Sequence, residues 1–407
     1  MTAQARPAPA STPHRRPTVR LLPTRHKRVK GGHPWVYSNE IAMDQVAKAL
    51  APGTLVALAT AGGEPLGTAM FNPRTLIAAR LLSPDPEAAI DRHYFEAALG
   101  RALGLRERLY QTPFYRLVHA EGDGLPGLIV DRYGEVAVCQ INTAGFERLT
   151  DEILAALDAA IGPRAVVLRN VGAGRRAEGL EETVRVAKGA VDGPLALVEN
   201  DATFYADVAE GQKTGWFYDQ RDSRAFTAGL ARGGRVLDLY TYAGGFAVLA
   251  ALYGAREVVG IDRSDAALAL ATRAAQANGV AGECRFEKRE VFAHAEHLIA
   301  AGERFDVVVA DPPAFVKSKK DLAAGLRGYR KLARFAAALV APGGMLFIAS
   351  CSHNVGPEPF AEEVRRGLAE AGRGGRILRA AGAGPDHPVH PSLPETAYLK
   401  SLTLMLD

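Results

Sequence analysis

Apolar positions follow two different rhythms along the chain. Between Val19 and Leu82 they form short runs (VRLLP, WVYSNEIA, TLVALAT, GTAMFNP and LIAARLL) separated by KGGHP and a Gly62-Gly63 turn. Runs of this kind, punctuated by Gly, Pro and Asn, predict a small β-barrel, and Pro84 and Pro86 mark its exit. Leu99, Leu103 and Leu109 then predict a helix over Phe95–Tyr110. Two strands, LIVDRY and VAVCQINT, flank the turn Tyr133-Gly134-Glu135, followed by a helix over Glu152–Ile161 and a strand at AVVLRN, which together suggest a small α+β domain. From Arg235 the rhythm changes: RVLDLY, EVVGID, CRFEKREV, FDVVVADPP and GMLFIAS alternate with helical patterns, one capped by Ser264 and stopped at Asn278-Gly279. Strand-helix-strand units of this length require right-handed crossovers and predict a parallel, doubly wound α/β sheet. The expected divisions are a disordered, Pro-rich lead at 1–17, the barrel at 18–88, the α+β domain at 89–198 and the α/β domain at 199–407.

Composition narrows the class. Of 407 residues, 48% are hydrophobic and 23% charged, which excludes global disorder. The longest uncharged apolar run, Leu239–Ala255, is broken by Gly244 and Gly245 and falls short of the ~20 residues that span a bilayer, so no membrane segment is expected. Residues 1–20 lack the apolar core of a secretory signal, and three cysteines (Cys139, Cys284, Cys351) argue against a disulfide scaffold or a metal cluster. A reduced, cytoplasmic protein without metal is expected. The formal charge of +4 is uneven: residues 1–39 hold eight basic residues (Arg6, Arg15, Arg16, Arg20, Arg25, Lys27, Arg28, Lys30) and no acid, leaving 40–407 at net −4. That asymmetry points to a polyanionic partner.

Candidate chemistry gathers at the carboxyl ends of the α/β strands, where open sheets of this kind bind ligands. Asp238, Asp262, Glu290 and Asp311 fall there, and the turn Tyr240–Phe246, with Gly244 and Gly245, leaves room for a ligand against the backbone. Asp262 suits ribose hydroxyls, although the turn lacks the full GxGxxG spacing of dinucleotide binders. Asp311-Pro312-Pro313-Ala314-Phe315 follows the buried run VVVA and resembles motif IV of class I S-adenosylmethionine-dependent methyltransferases. The next strand ends in Ser350-Cys351-Ser352-His353. Carbon 5 of a pyrimidine is a poor nucleophile, and a thiolate adding at carbon 6 activates it, so Cys351 is the candidate nucleophile and Asp311 the group that supports ring nitrogen 3. Cys139 and Cys284 receive no role, and His353 is not assigned as a base. After Phe315, the run Lys317, Lys319, Lys320, Arg327, Arg330, Lys331 and Arg334 contains one acid, Asp321, and suits phosphates, with Tyr329 and Phe315 available for stacking on a base.

These pieces, with HPWVY at 33–37, GDGLPGLIVDRYG at 122–134, GQKTGWFYDQR at 211–221, YAGGF at 242–246, DPPAFVKSKK at 311–320, SCS at 350–352, and DHPV and PETAYLK in the tail, resemble the bacterial 23S ribosomal RNA cytosine-5 methyltransferase I family. The resemblance implies a PUA-like RNA-binding barrel, the family's central domain and a Rossmann-like class I methyltransferase domain. It implies S-adenosyl-L-methionine as cofactor, with Gln220 and Arg221 at its methionine end, and with Asp238, Tyr240, Tyr242, Gly244, Asp262, Glu290 and Asp311 completing the site. RNA contacts are expected from Arg28, Lys30 and Trp35 of the barrel and from Phe315, Lys317, Lys319 and Lys320. Pro313 and Ala314 fill the place where other cytosine-5 RNA methyltransferases carry a second cysteine, so product release is not expected to follow a two-cysteine scheme. The expected partner is 23S rRNA or a large-subunit precursor, a homodimer being one option. N-methylation of a guanine in rRNA and a non-catalytic RNA-binding role in ribosome assembly are the alternatives.

Overall fold

A computed structural model describes residues 16–209, 211 and 214–407. Arg6 and Arg15 lie outside the described residues. Arg16 and Pro17, expected in the lead, are joined to the barrel: Arg16 donates to Thr68 Oγ1 at 2.8 Å and to the Ala88 carbonyl at 2.6 Å, and the Pro17 carbonyl accepts from Ala57 N at 3.0 Å. The barrel strands are Thr18–Arg20 (β1), Trp35–Tyr37 (β2), Thr54–Ala59 (β3), Pro65–Phe71 (β4) and Ile77–Ser83 (β5), in the order β1-β3-β4-β5-β2. A bridge between Leu21 and Ile41 joins the two edges. The sheet therefore closes on a core of Val36, Val56, Leu58 and Phe71, and closure removes unpaired edges.

Helix α1 (Arg92–Leu109), capped by Asp91, packs on a second sheet. Its strands are Phe114–His119 (β6), Leu128–Tyr133 (β7), Val136–Ile141 (β8), Ala165–Asn170 (β9) and Thr183–Lys188 (β10), in chain order across the sheet, with helix α2 at Thr150–Ile161. A hairpin of Leu195–Glu199 (β11) and Ala202–Ala206 (β12) follows, so the expected boundary at 198/199 falls inside paired strands. Phe204 and Trp216 share one core with Val138 and Val167 of this domain and with Leu249 and Leu270 of the next. The two domains are fused through that core.

The third sheet has seven strands in the order β15-β14-β13-β16-β17-β19-β18. Helix α3 (Arg221–Gly229) leads into β13 (Arg235–Leu239), α4 (Gly245–Leu252), β14 (Glu257–Asp262), α5 (Asp265–Ala277), β15 (Cys284–Lys288), α6 (Val291–Ala300), β16 (Phe305–Ala310), α7 (Leu322–Leu339) and β17 (Val340–Ser350). Helix α8 (Pro357–Glu370) and the antiparallel strands β18 (Gly375–Ala381) and β19 (Lys400–Leu406) complete it. β13 pairs in parallel with both β14 and β16, so the chain reverses direction across the sheet between β13 and β16, and the crevice at their carboxyl ends is the switch point. Pairing of β19 with β17 sets Lys400 opposite Ser350, at the end of the fifth parallel strand.

Candidate active site

A cleft of about 460 Å³ opens at this switch point. Its wall includes Gln220, Tyr240, Tyr242, Asp262, Glu290, Asp311, Phe315 and Cys351, so the structure brings together eight of the residues singled out above. A larger groove of about 550 Å³ runs along edge strand β15, but it is open and lined mainly by charged groups, of which Arg235 already pairs with Glu303. The strand-end cleft is the one with both apolar walls and convergent polar groups.

The turn after β13 is strained and strongly held. Tyr240 and Tyr242 adopt φ of +65° and +50°, a left-handed conformation that non-glycine residues rarely take. Thr241 N donates to the Ile261 carbonyl at 2.9 Å and Tyr242 N to Asp262 Oδ2 at 3.0 Å. Asp262 also accepts from Ser264 N at 2.9 Å, which fixes its carboxylate at the end of β14. Glu290 caps α6 by accepting from Ala293 N at 2.8 Å while still lining the cleft.

Three residues expected to touch the cofactor are not in the cleft wall. Asp238 is buried beneath the turn, where Oδ2 accepts from Thr241 Oγ1 at 2.7 Å and Ala247 N at 3.1 Å. Burial pushes its carboxyl up to about 7, against those hydrogen bonds, and the nearby charge of Asp311 adds to the rise. Its work is to hold the turn and the start of α4. Gly244 (φ +78°) faces α5: a Cβ there would fall 2.9 Å from Ala271 Cβ, so it serves helix packing, and Gly245 is the glycine in the wall. Arg221 is drawn away by its neighbours, with its guanidinium 4.1 Å from the Tyr110 ring centre, Nε 3.6 Å from Glu199, and a further bond to the Phe114 carbonyl. One helical turn on, Arg224 lines the cleft, held by Glu199 Oε1 at 2.7 Å and stacked on Trp216. Of the consecutive pair, Gln220 alone reaches the wall. It donates from Nε2 to Asp311 Oδ2 at 2.9 Å, and its buried Oε1 accepts from no donor among the described residues.

Cys351 stands one residue beyond β17, beside the end of β16 that presents Asp311. Its loop is clamped by a residue the sequence assigned differently. Tyr329 of α7 is fully buried, and its hydroxyl lies 2.8 Å from both Ser350 Oγ and Ser352 Oγ and accepts from Phe315 N at 3.4 Å. It is therefore not exposed for stacking on a base; Phe315, 4.8 Å from it ring to ring, is the one of the two that borders the cleft. Val316 N donates to Ser352 Oγ at 3.2 Å, so the DPPAF loop and the cysteine loop are one hydrogen-bonded unit. Trp216, Phe217, Asp219, Phe292 and Leu399 also line the cleft and carried no sequence signal beyond the motifs around them. His353 stacks on Tyr398 at 5.0 Å, and Tyr398 donates to Asp219.

The expected RNA-facing residues divide. Lys317, Lys319 and Lys320 are exposed on the segment that follows Phe315 of the cleft wall, with no acid at ion-pair distance among the described residues. Further along, Arg330 pairs with Glu363 at 2.6 Å and Lys331 lies over Phe292. On the barrel, Arg28 pairs with Glu40 at 2.8 Å and Lys30 with Glu64 at 2.8 Å, while Trp35 Nε1 donates to Glu121 of the central domain at 2.9 Å. Among the described residues no helix is long and apolar enough to cross a membrane.

Comparison with known proteins places this arrangement. A family model described as S-adenosylmethionine-dependent methyltransferase matches residues 180–397, and one described as PUA-like domain matches 19–84. Ribosomal RNA large subunit methyltransferase I of Erwinia tasmaniensis is 35% identical over 390 residues, covering 94% of this chain and 98% of the relative. The protein of the same name from Aeromonas hydrophila is 36% identical over 393 residues, covering 95% and 98%. A solved chain described as a SAM-dependent methyltransferase from Streptococcus mutans superposes with a TM-score of 0.81 at 21% identity, covering 96% of this chain and 100% of that one.

Proposed function

The chain belongs to the S-adenosylmethionine-dependent methyltransferase family of the ribosomal RNA large subunit methyltransferase I proteins, and from that premise we propose that it methylates carbon 5 of a cytosine in 23S rRNA through an adduct on Cys351. The observation that carries this reading is the placement of Cys351 and Asp311 at neighbouring strand ends in one cleft, with Gln220 bonded to Asp311.

The wall fits the cofactor on its own chemistry. The unsatisfied Gln220 Oε1 suits an ammonium, the anchored Asp262 carboxylate suits ribose hydroxyls, and Tyr240 and Phe292 offer aromatic faces to an adenine. When bound, S-adenosylmethionine supplies a methyl carbon on a sulfonium that leaves as a neutral thioether. The Cys351 sulfur forms the bond to carbon 6, and the displaced π pair makes carbon 5 the group that takes the methyl. Asp311, oriented by Gln220 Nε2, holds the cytosine edge and stabilises the proton that ring nitrogen 3 takes from water as charge builds on the ring. Loss of the carbon 5 proton to water restores the double bond and expels the Cys351 sulfur with its electron pair, and ring nitrogen 3 returns its proton to water.

The test uses the full chain with cofactor and an rRNA fragment containing 5-fluorocytosine, whose carbon 5 has no proton to lose. A covalent protein–RNA adduct that disappears in Cys351→Ala is expected. Methylguanosine as the product, or full methylation by Cys351→Ala, would overturn the reading.

A further inference from the structure

Lys400 is an unusual residue for its place. It begins β19, is only 9% exposed, and pairs with no carboxylate among the described residues. Buried lysines are rare without an anionic partner, because the ammonium gives up its hydration. Here Nζ donates to the Ser352 carbonyl at 2.6 Å and to the Val355 carbonyl at 2.6 Å, both neutral groups. Both belong to the loop that carries Cys351, and the β17–β19 register puts Lys400 directly across from Ser350.

We propose that Lys400 is the positioning residue for Cys351, fixing its loop and supplying the positive charge that holds its sulfur as a thiolate. This rests on the reading of Cys351 as the nucleophile. The groups around the sulfur fit the assignment. Tyr329 from α7 bonds the serines on either side of Cys351, Tyr398 from the tail lies against the same loop, and burial pushes both phenols above their ordinary range, so both are neutral at pH 7. His353 of the same loop is stacked on Tyr398, and Asp219 lies behind Tyr398. Asp311 shares the cleft from the end of β16, and as an anion it would oppose a thiolate, which makes a compensating cation necessary. Burial pulls the Lys400 ammonium down to about 8, and a negative charge on Cys351 would oppose that fall, so a thiolate there and the Lys400 cation would favour each other. In the step itself the Cys351 S–H proton passes to solvent, the S–H pair stays on sulfur, and Lys400 keeps its own proton.

The experiment follows alkylation of Cys351 by iodoacetamide from pH 5 to 10, reading the Cys351 peptide by mass spectrometry in the full chain. Lys400→Met should raise the midpoint by about one pH unit, a roughly tenfold slower reaction on the acid side, and Lys400→Arg should restore most of it. An unmoved midpoint in folded Lys400→Met overturns the proposal. If Lys400→Met does not fold, the reciprocal measurement decides. Competitive acylation of Lys400 should show its ionisation falling to lower pH in Cys351→Ser, and an unchanged value overturns the proposal. Alkylation does not depend on methyl transfer, so full methylation by Cys351→Ala would sink the nucleophile reading while leaving this coupling measurable.

Discussion

Replacing Tyr329 by Phe removes a single oxygen and keeps the ring. That oxygen lies 2.8 Å from Ser350 Oγ and 2.8 Å from Ser352 Oγ, the two neighbours of Cys351, and accepts from Phe315 N of the DPPAF loop. Ser352 Oγ keeps Val316 N as a partner and Ser350 Oγ keeps Ser352 N, so no serine hydroxyl is left wholly unsatisfied. Two to three bonds at a net of about 1 kcal/mol each give a destabilisation of about 2 kcal/mol. The larger effect falls on rate. A reacting atom displaced by about 1 Å costs on the order of 100-fold, so loosening both flanks of Cys351 should lower single-turnover methyl transfer by about 10- to 100-fold with cofactor affinity nearly unchanged. Transfer of labelled methyl to an rRNA fragment measures the rate, and guanidinium denaturation the stability. If Tyr329 acted through its ring, as base stacking would require, the Phe variant would be silent. Wild-type rate and stability in Tyr329→Phe would therefore refute the clamp.

Two other expectations concern pH and salt. Burial raises the Asp238 carboxyl from its ordinary 3.8 to about 7, so between those values the folded chain binds more protons than the unfolded one and its stability falls as pH rises, by up to about 4 kcal/mol. Denaturation of the cofactor-free chain from pH 4 to 7.5 should show this fall in wild type and a flatter profile in Asp238→Asn; identical slopes would rule it out. Changing Lys317, Lys319 and Lys320 together to Ala should weaken rRNA binding at low salt and shrink the salt dependence by about 0.9 for each phosphate that is no longer neutralised, leaving single-turnover rate at saturating RNA unchanged. A salt slope equal to wild type would remove these lysines from the RNA path.

What the sequence shows of this fold is set by burial. β13, β14 and β16 are covered on both faces and read as plain apolar runs, and the parallel order follows from their alternation with helices. β10 and β18 escape notice because they are exposed edge strands, TVRVAK and GRILRAA, whose polar positions resemble loop. In the site, strand-end position was legible and side-chain direction was not. Asp238 is one residue short of the end of β13, and the pleat sends it under the turn while Tyr240 and Tyr242 take the cleft. The partners of Cys351 illustrate a different limit. Tyr329 and Lys400 reach it across 22 and 49 residues of chain, through helix packing and an antiparallel pairing for which no local pattern exists.

The barrel residues show how a charge pattern and a contact can part company. Lys30 is held by Glu64 in an exposed pair worth about 0–1 kcal/mol, so a phosphate could displace that acid at little cost, whereas Arg28 is fixed more firmly by Glu40, which also accepts from Tyr37 N, and by the Trp35 carbonyl. Trp35 is different, because its indole N–H is spent on Glu121, a buried carboxylate of the central domain. Arg106 holds Asp123, which shares the short helical turn Ala120–Asp123 with Glu121, and also reaches the Asp386 carbonyl, 280 residues away, while the Asp386 side chain accepts from Arg116 N at 3.0 Å. Burial pushes the Asp386 carboxyl up, yet His387 and the Arg116 amide bring it below its ordinary value, which keeps this tail segment charged and anchored. Trp35 is thus the first link of a polar chain running from the barrel through the central domain to the tail that carries Lys400. The barrel is therefore tied to the central domain by side-chain bonds as well as by the connecting chain. On the proposed function, the placement of Cys351 relative to an RNA held at the barrel would depend on the contacts of Trp35, Glu121, Arg106 and Asp386 as well as on the connecting chain.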